Sequence, residues 1–170
     1  MRVSNAMFRA VTSAHARAEG SVFRKTGEQA VGGLAGVGNV EGTELWLVAS
    51  SSGLGLFDAK TGERIARDPK RPLGYPEATP GIGAAKGKLV RIVGIDGGGS
   101  LPLATPDGWK LSCDMSVGIW LTPPGIAADI PSPHIEVLRV RLEELRVGGF
   151  SASGDSLVLG DARTLHLFAR

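Results

Sequence analysis

The chain has 170 residues, 42% of them hydrophobic and 21% charged, with 25 glycines and 10 prolines, a composition that excludes a disordered or fibrous segment and fits one globular domain. A net charge of +2 and 5% aromatic residues exclude the concentrated basic face and base-stacking platform of a nucleic-acid binder. The single cysteine, Cys113, excludes an intramolecular disulfide and fits a reducing, cytoplasmic setting.

From the N-terminus, Arg9 and Thr12-Ser13 interrupt any secretory apolar core. Ser4-Asn5-Ala6 ahead of Met7 has the composition of a tag-cleavage remnant, which leaves open whether residues 1–6 are native. Met7, Val11, Ala14 and Ala18 recur at helical spacing, Ser4 can cap the start and Gly20 the end, so one N-terminal helix is predicted over 5–19. The apolar stretch from Ala30 to Val40 falls far below the ~20 residues of a membrane span. Its glycines at 32, 33, 36 and 38 do not follow the order of a dinucleotide fingerprint, and the stretch reads as a close-packed turn region.

Residues 44–170 are predicted to be β-rich. Glu44 to Ser50 reads as a strand, Ser51-Ser52-Gly53 as a turn, and Leu54 to Phe57 as a second strand. A turn over Asp58 to Glu63 then leads to a third strand, Arg64 to Ala66. The densest basic stretch, Lys60, Arg64, Arg67, Lys70 and Arg71, is diluted by Glu63 and Asp68 and reads as a solvated loop. Pro69, Pro72, Pro76 and Pro80 hold an extended loop over 67–83, too long for idle connection. Gly83 to Lys88 is not a phosphate loop, because Ile82 stands at the first glycine position and Leu89 at the magnesium-ligand position. Lys88 to Ile95 is predicted as one strand, and Trp109 to Ser112 with Val117 to Leu121 as a hairpin. A proline-punctuated loop follows over 122–134. Residues 135–147 carry both spacings and are read as strand. The last hairpin runs from Leu145 to Phe150, turns at Ser153-Gly154-Asp155, and continues through Leu157 to Gly160 and Thr164 to Ala169.

Three of these hairpins align with one another. Leu54-Gly55-Leu56-Phe57 matches Val117-Gly118-Ile119-Trp120 and Leu165-His166-Leu167-Phe168, and the residues upstream fall into line. Both sides of each copy are largely apolar, so the strands should be covered on both faces. Residues 45–63 and 145–168 resemble blades of WD-repeat β-propellers, a family in which such segments supply successive antiparallel strands. The Trp-Asp dipeptide is absent, and the copies are spaced unevenly and wider than the roughly 40–45 residues of a regular blade. The predicted fold is a single mostly β, antiparallel, hairpin-built domain over 1–170, propeller-like or else a β-sandwich or barrel, with one N-terminal helix.

Gly154-Asp155-Ser156-Leu157 spells the motif that names the GDSL lipases and esterases. The resemblance implies Ser156 as nucleophile with His166 as the nearest base. In that family the serine lies near the N-terminus and is followed at a distance by Asp-x-x-His. Here Ser156 lies near the end of the chain, and Asp161 and His166 have the wrong spacing. The turn-and-strand reading therefore stands beside it. His134 and Glu136 would share a strand face, His15 lies beside the helix stripe, and Asp96 precedes three glycines, each readable as structural. Scattered histidines offer no metal-ligand spacing, and no metal or cofactor is implied.

The expected role is a non-enzymatic module that binds another protein, an inhibitory or immunity-type role included. Neither nucleic acid nor membrane is expected as a partner, and the oligomeric state stays open. Arg71, Tyr75, Trp109 and Trp120 are the candidate anchors, since Trp, Tyr and Arg dominate interface energies. The alternatives are a small serine hydrolase using Ser156 and His166, and a small-ligand-binding β-barrel.

Overall fold

The computed structural model describes residues 22–70, 78–95, 98–114, 118–126, 136–138, 140, 142 and 144–170. Fourteen strands are described: β1 (Arg24–Ala30), β2 (Leu34–Asn39), β3 (Leu45–Ser50), β4 (Gly53–Asp58), β5 (Arg64–Asp68), β6 (Ala78–Pro80), β7 (Leu89–Arg91), β8 (Val93–Gly94), β9 (Lys110–Asp114), β10 (Gly118–Thr122), β11 (Glu136–Val137), β12 (Val147–Phe150), β13 (Ser156–Gly160) and β14 (Thr164–Ala169). They form four antiparallel sheets, none closed on itself, with orders β5-β4-β3-β2-β8, β1-β14-β13-β12, β11-β10-β9 and β6-β7. The helix predicted over 5–19 lies outside the described residues. The helical element among the described residues is a single 3-10 turn, Gly83–Ala85.

Alternation explains the stacking. Trp46, Val48 and Phe57 leave one face of the five-stranded sheet and meet Val158, Leu165 and Leu167 of the four-stranded sheet. Leu47, Ala49, Leu54 and Leu56 leave its other face and pack with Ala85, Val90 and Ile92. Leu157, Leu159 and Phe168 leave the far face of the four-stranded sheet and meet Leu111, Leu121 and Leu138. The first and third hairpin copies are thus covered on both faces. Each buried Val, Leu, Ile or Phe side chain among them contributes about 1.5–3 kcal/mol of transfer free energy. In the second copy Ile119 and Leu121 face the core, while Trp120 on the opposite face is half-buried.

The β-rich region begins twenty residues earlier than the sequence suggested, with β1 at Arg24 and β2 at Leu34. The glycines of β2 are there for close approach. A Cβ at Gly38 would sit 2.2 Å from the Arg91 carbonyl oxygen, and one at Gly36 would sit 2.7 Å from Ile92 and the Val93 carbonyl oxygen. The strand predicted over 88–95 is two strands, because the chain crosses between sheets at the fully buried Ile92: β7 pairs with β6 and β8 with β2. Within the loop expected over 67–83, Ala78–Pro80 is strand. Of the strand expected over 135–147, Glu136–Val137 and Val147 are extended; Leu138, Leu142 and Leu145 fill the third core from irregular backbone.

The two chain halves are joined at β1. It pairs along β14 from Arg24 opposite Ala169 to Ala30 opposite Thr164. The Thr26 hydroxyl reaches the Ala59 carbonyl at 2.6 Å, in the turn after β4, and the Leu167 carbonyl at 3.1 Å, in β14.

Candidate functional site

Ser156 opens β13, after a turn in which Gly154 (φ +81°) donates its N–H to the Ser151 carbonyl at 3.0 Å. Its side chain is fully buried, and its hydroxyl accepts the Trp46 indole N–H at 3.1 Å. His166 is 2% exposed on β14, with Nδ1 3.5 Å from Glu28 Oε2. Lys25 hydrogen-bonds Glu28 and holds its carboxyl below the usual range. Ser156 pairs with Ala169, and His166 with Leu159, in the β13–β14 ladder. Ser156 therefore shares a face with Val158 and Leu167, while His166 shares the opposite face with Leu157 and Phe168. The sheet separates the two groups, so they form no nucleophile–base pair.

Arg71 and Tyr75 lie outside the described residues, as do His15, Asp96 and His134. Trp109 is half-buried, edge-on to Phe23 with ring centroids 6.2 Å apart. Phe23 also lies 5.4 Å from Phe150 and carries the Arg170 guanidinium 5.5 Å above its ring. Arg170 bonds Asp107 at 2.6 Å and Asp155 at 3.0 Å. The hydrogen bond from Arg170, helped by one from Thr105, pulls the Asp107 carboxyl down to about 2. Trp109 is thus part of a clasp around the chain end. Trp120 pairs with Ser112 and Val137 on the outward side of its sheet, and the structure does not bring it to Trp109's cluster. Partial desolvation raises the Cys113 thiol. Among the described residues no group of three His, Cys, Asp or Glu side chains is placed to hold a metal ion, and no helix is long and apolar enough to cross a membrane.

A different group of residues makes an open site. A half-open concavity of about 160 Å³ lies between the β1–β2 link and the β4–β5 ribbon, lined among others by Gly32, Ser52, Gly55, Phe57, Arg64 and Arg67. Three apart on a regular strand, Arg64 and Arg67 would face opposite ways. Here the ladder pairs Arg64 with Phe57 and Arg67 with Gly55, with a register shift between Leu56 and Phe57 that leaves Ile65 as the extra residue of a β-bulge. Phe57 and Gly55 are two apart on β4, so both arginines emerge on one face, about 6.7 Å apart along the strand. The absent side chain at Gly55 makes room for its neighbours: a Cβ there would lie 2.8 Å from the Phe57 ring and 3.6 Å from Arg64 Cδ. Neither arginine has an ion pair among the described residues, and no Asp or Glu lines the concavity. Asp68 pairs with Leu54 and so belongs to the other face.

The rim is fixed by its own hydrogen bonds. Ser51 N donates to the Gly32 and Gly33 carbonyls at 3.0 and 2.9 Å, and the Ser51 hydroxyl bonds the Gly32 carbonyl as well. The Ser50 hydroxyl donates to the Gly53 carbonyl at 3.1 Å and accepts from Ser52 N at 3.2 Å. In the sequence these arginines belong to a basic stretch read as a solvated loop. The signal that separates them from Lys60 and Lys70 is the bulge, which composition and spacing do not encode.

Comparison with known proteins returns no match. No family model, no curated protein and no solved structure matches the chain.

Proposed function

We propose that the chain is a partner-binding module: a stack of short antiparallel sheets, arranged like propeller blades, that offers a cationic sheet face to another protein. The observation that carries this reading is the co-facial pair Arg64 and Arg67 beside an open concavity without a lining carboxylate. The β4–β5 ladder fixes the backbone positions from which both arginines project, so that strand need not be ordered when a partner arrives. Arginine is also among the residues that dominate interface energies. The blade-like arrangement is supported by the topology. Strands β2 to β5 form one meander, β12 to β14 form a second that N-terminal β1 completes, and the two sheets stack face to face.

The test is affinity capture from the native host, with the wild-type chain beside the double variant Arg64→Gln/Arg67→Gln. The expected result is a partner retained by the wild type and lost by the double variant at unchanged Tm. A complex indifferent to both substitutions contradicts recognition through this face. A fluorophosphonate label on the wild type that vanishes in Ser156→Ala would replace the binding reading with hydrolysis.

A further inference from the structure

We infer that the group this face receives is a carboxylate on an extended acidic peptide segment lying along β5. The carrier rests on the partner-binding reading; the anion site stands on its own geometry. Strand β5 is the edge of its sheet, hydrogen-bonded to β4 on one side and to no strand on the other among the described residues. Ile65, the bulged residue between the two arginines, is 45% exposed. An open edge is a template for strand addition, with main-chain hydrogen bonds supplying affinity and side-chain sites supplying choice.

Charge decides what can add. A second copy of β5 would bring Arg64 and Arg67 against their own like charges, so self-pairing is disfavoured. A strand carrying Glu or Asp at two positions, i and i+2, presents both acids on one face at the spacing of the two arginines. The guanidinium fork matches a carboxylate with two parallel hydrogen bonds, and no carboxylate of the described chain competes for it inside the concavity. Phosphate would satisfy the same forks without using the edge. A peptide uses both.

The probe is an acetylated, amidated peptide of alternating valine and glutamate, titrated into isotopically labelled protein. The first comparison is the same peptide with glutamine for glutamate, and the second is inorganic phosphate. Expected are shifts centred on Gly55, Arg64, Ile65 and Arg67, and an affinity about tenfold or more weaker for the glutamine peptide and for Arg64→Gln/Arg67→Gln, equivalent to about 1.4 kcal/mol. Both arginines are exposed, so the variant is expected to fold, and an unchanged Tm checks it. Equal binding of the glutamine peptide overturns the carboxylate. Phosphate that binds as tightly as the peptide, with the same shifts, overturns the peptide as carrier. No shift with any probe overturns the site, and a host partner still captured through the arginines would then leave the binding module standing without an acidic segment.

Discussion

The Trp46 indole N–H donates to the Ser156 hydroxyl between two large sheets, where both residues are fully buried. Replacing Ser156 by Ala leaves that N–H dry and unpaired, which costs about 1–3 kcal/mol. Urea denaturation of Ser156→Ala is therefore expected to show a lower midpoint at unchanged slope, and an unchanged midpoint would contradict the structural role. At the chain end Asp107 titrates low because Arg170 holds its charged form. A depressed carboxyl binds its proton less well folded than unfolded. Its pairing thus contributes stability above the ordinary aspartate value of 3.8, and that contribution is lost as pH falls through about 2. The contact is exposed and solvent-screened, so the effect on global stability is small. The carboxyl carbon resonance of Asp107 is the sensitive readout: Arg170→Ala should move its midpoint up toward 3.8, and an unmoved midpoint would contradict the pairing.

At the scale of elements, the sequence was legible where hairpins repeat alternating apolar residues with turn residues between them. Strands β3, β4, β13 and β14 fall within a residue or two of their expected bounds, since period-2 burial and the Ser-Gly and Gly-Asp turns are local signals. Strand β2 was not legible, because its glycines answer to strands about fifty residues away that press against them. Gly38→Ala tests this. The added methyl must displace the Arg91 carbonyl oxygen, 2.2 Å away, and overpacking of that kind costs about 1–3 kcal/mol. The expected result is a lower urea midpoint with faster amide exchange along β2 and β8; a neutral substitution would contradict the contact. The candidate site was illegible for a related reason. Arg64 and Arg67 are plain in the sequence, but their shared face depends on how β5 pairs with β4, and a spacing of three in an alternating strand points the wrong way. The serine motif misled in the opposite sense, since Ser156 and His166 are near in text and divided by their own sheet.

Across the whole molecule, two large sheets share one core, and each is covered on its other face by a smaller one. Strand β1 ties the beginning of the described chain to its end through β14 and, by Thr26, to the turn after β4. That turn leads directly into β5, so the strand that carries Arg64 and Arg67 is braced by the same contacts that hold the stack together. The glycine pair at the brace is tight: a Cβ on Gly62 (φ +73°) would meet the Thr26 carbonyl oxygen at 2.2 Å. The proposed partner binding uses the cationic face that Arg64 and Arg67 make on this stack. That face exists only if Ile65 is the unpaired residue of a bulge. Cross-strand nuclear Overhauser contacts between β4 and β5 measure this directly. The expected pattern pairs Gly55 with Arg67 and Phe57 with Arg64, leaving Ile65 without a partner. A regular ladder that pairs Phe57 with Ile65 would put the two arginines on opposite faces and contradict the account.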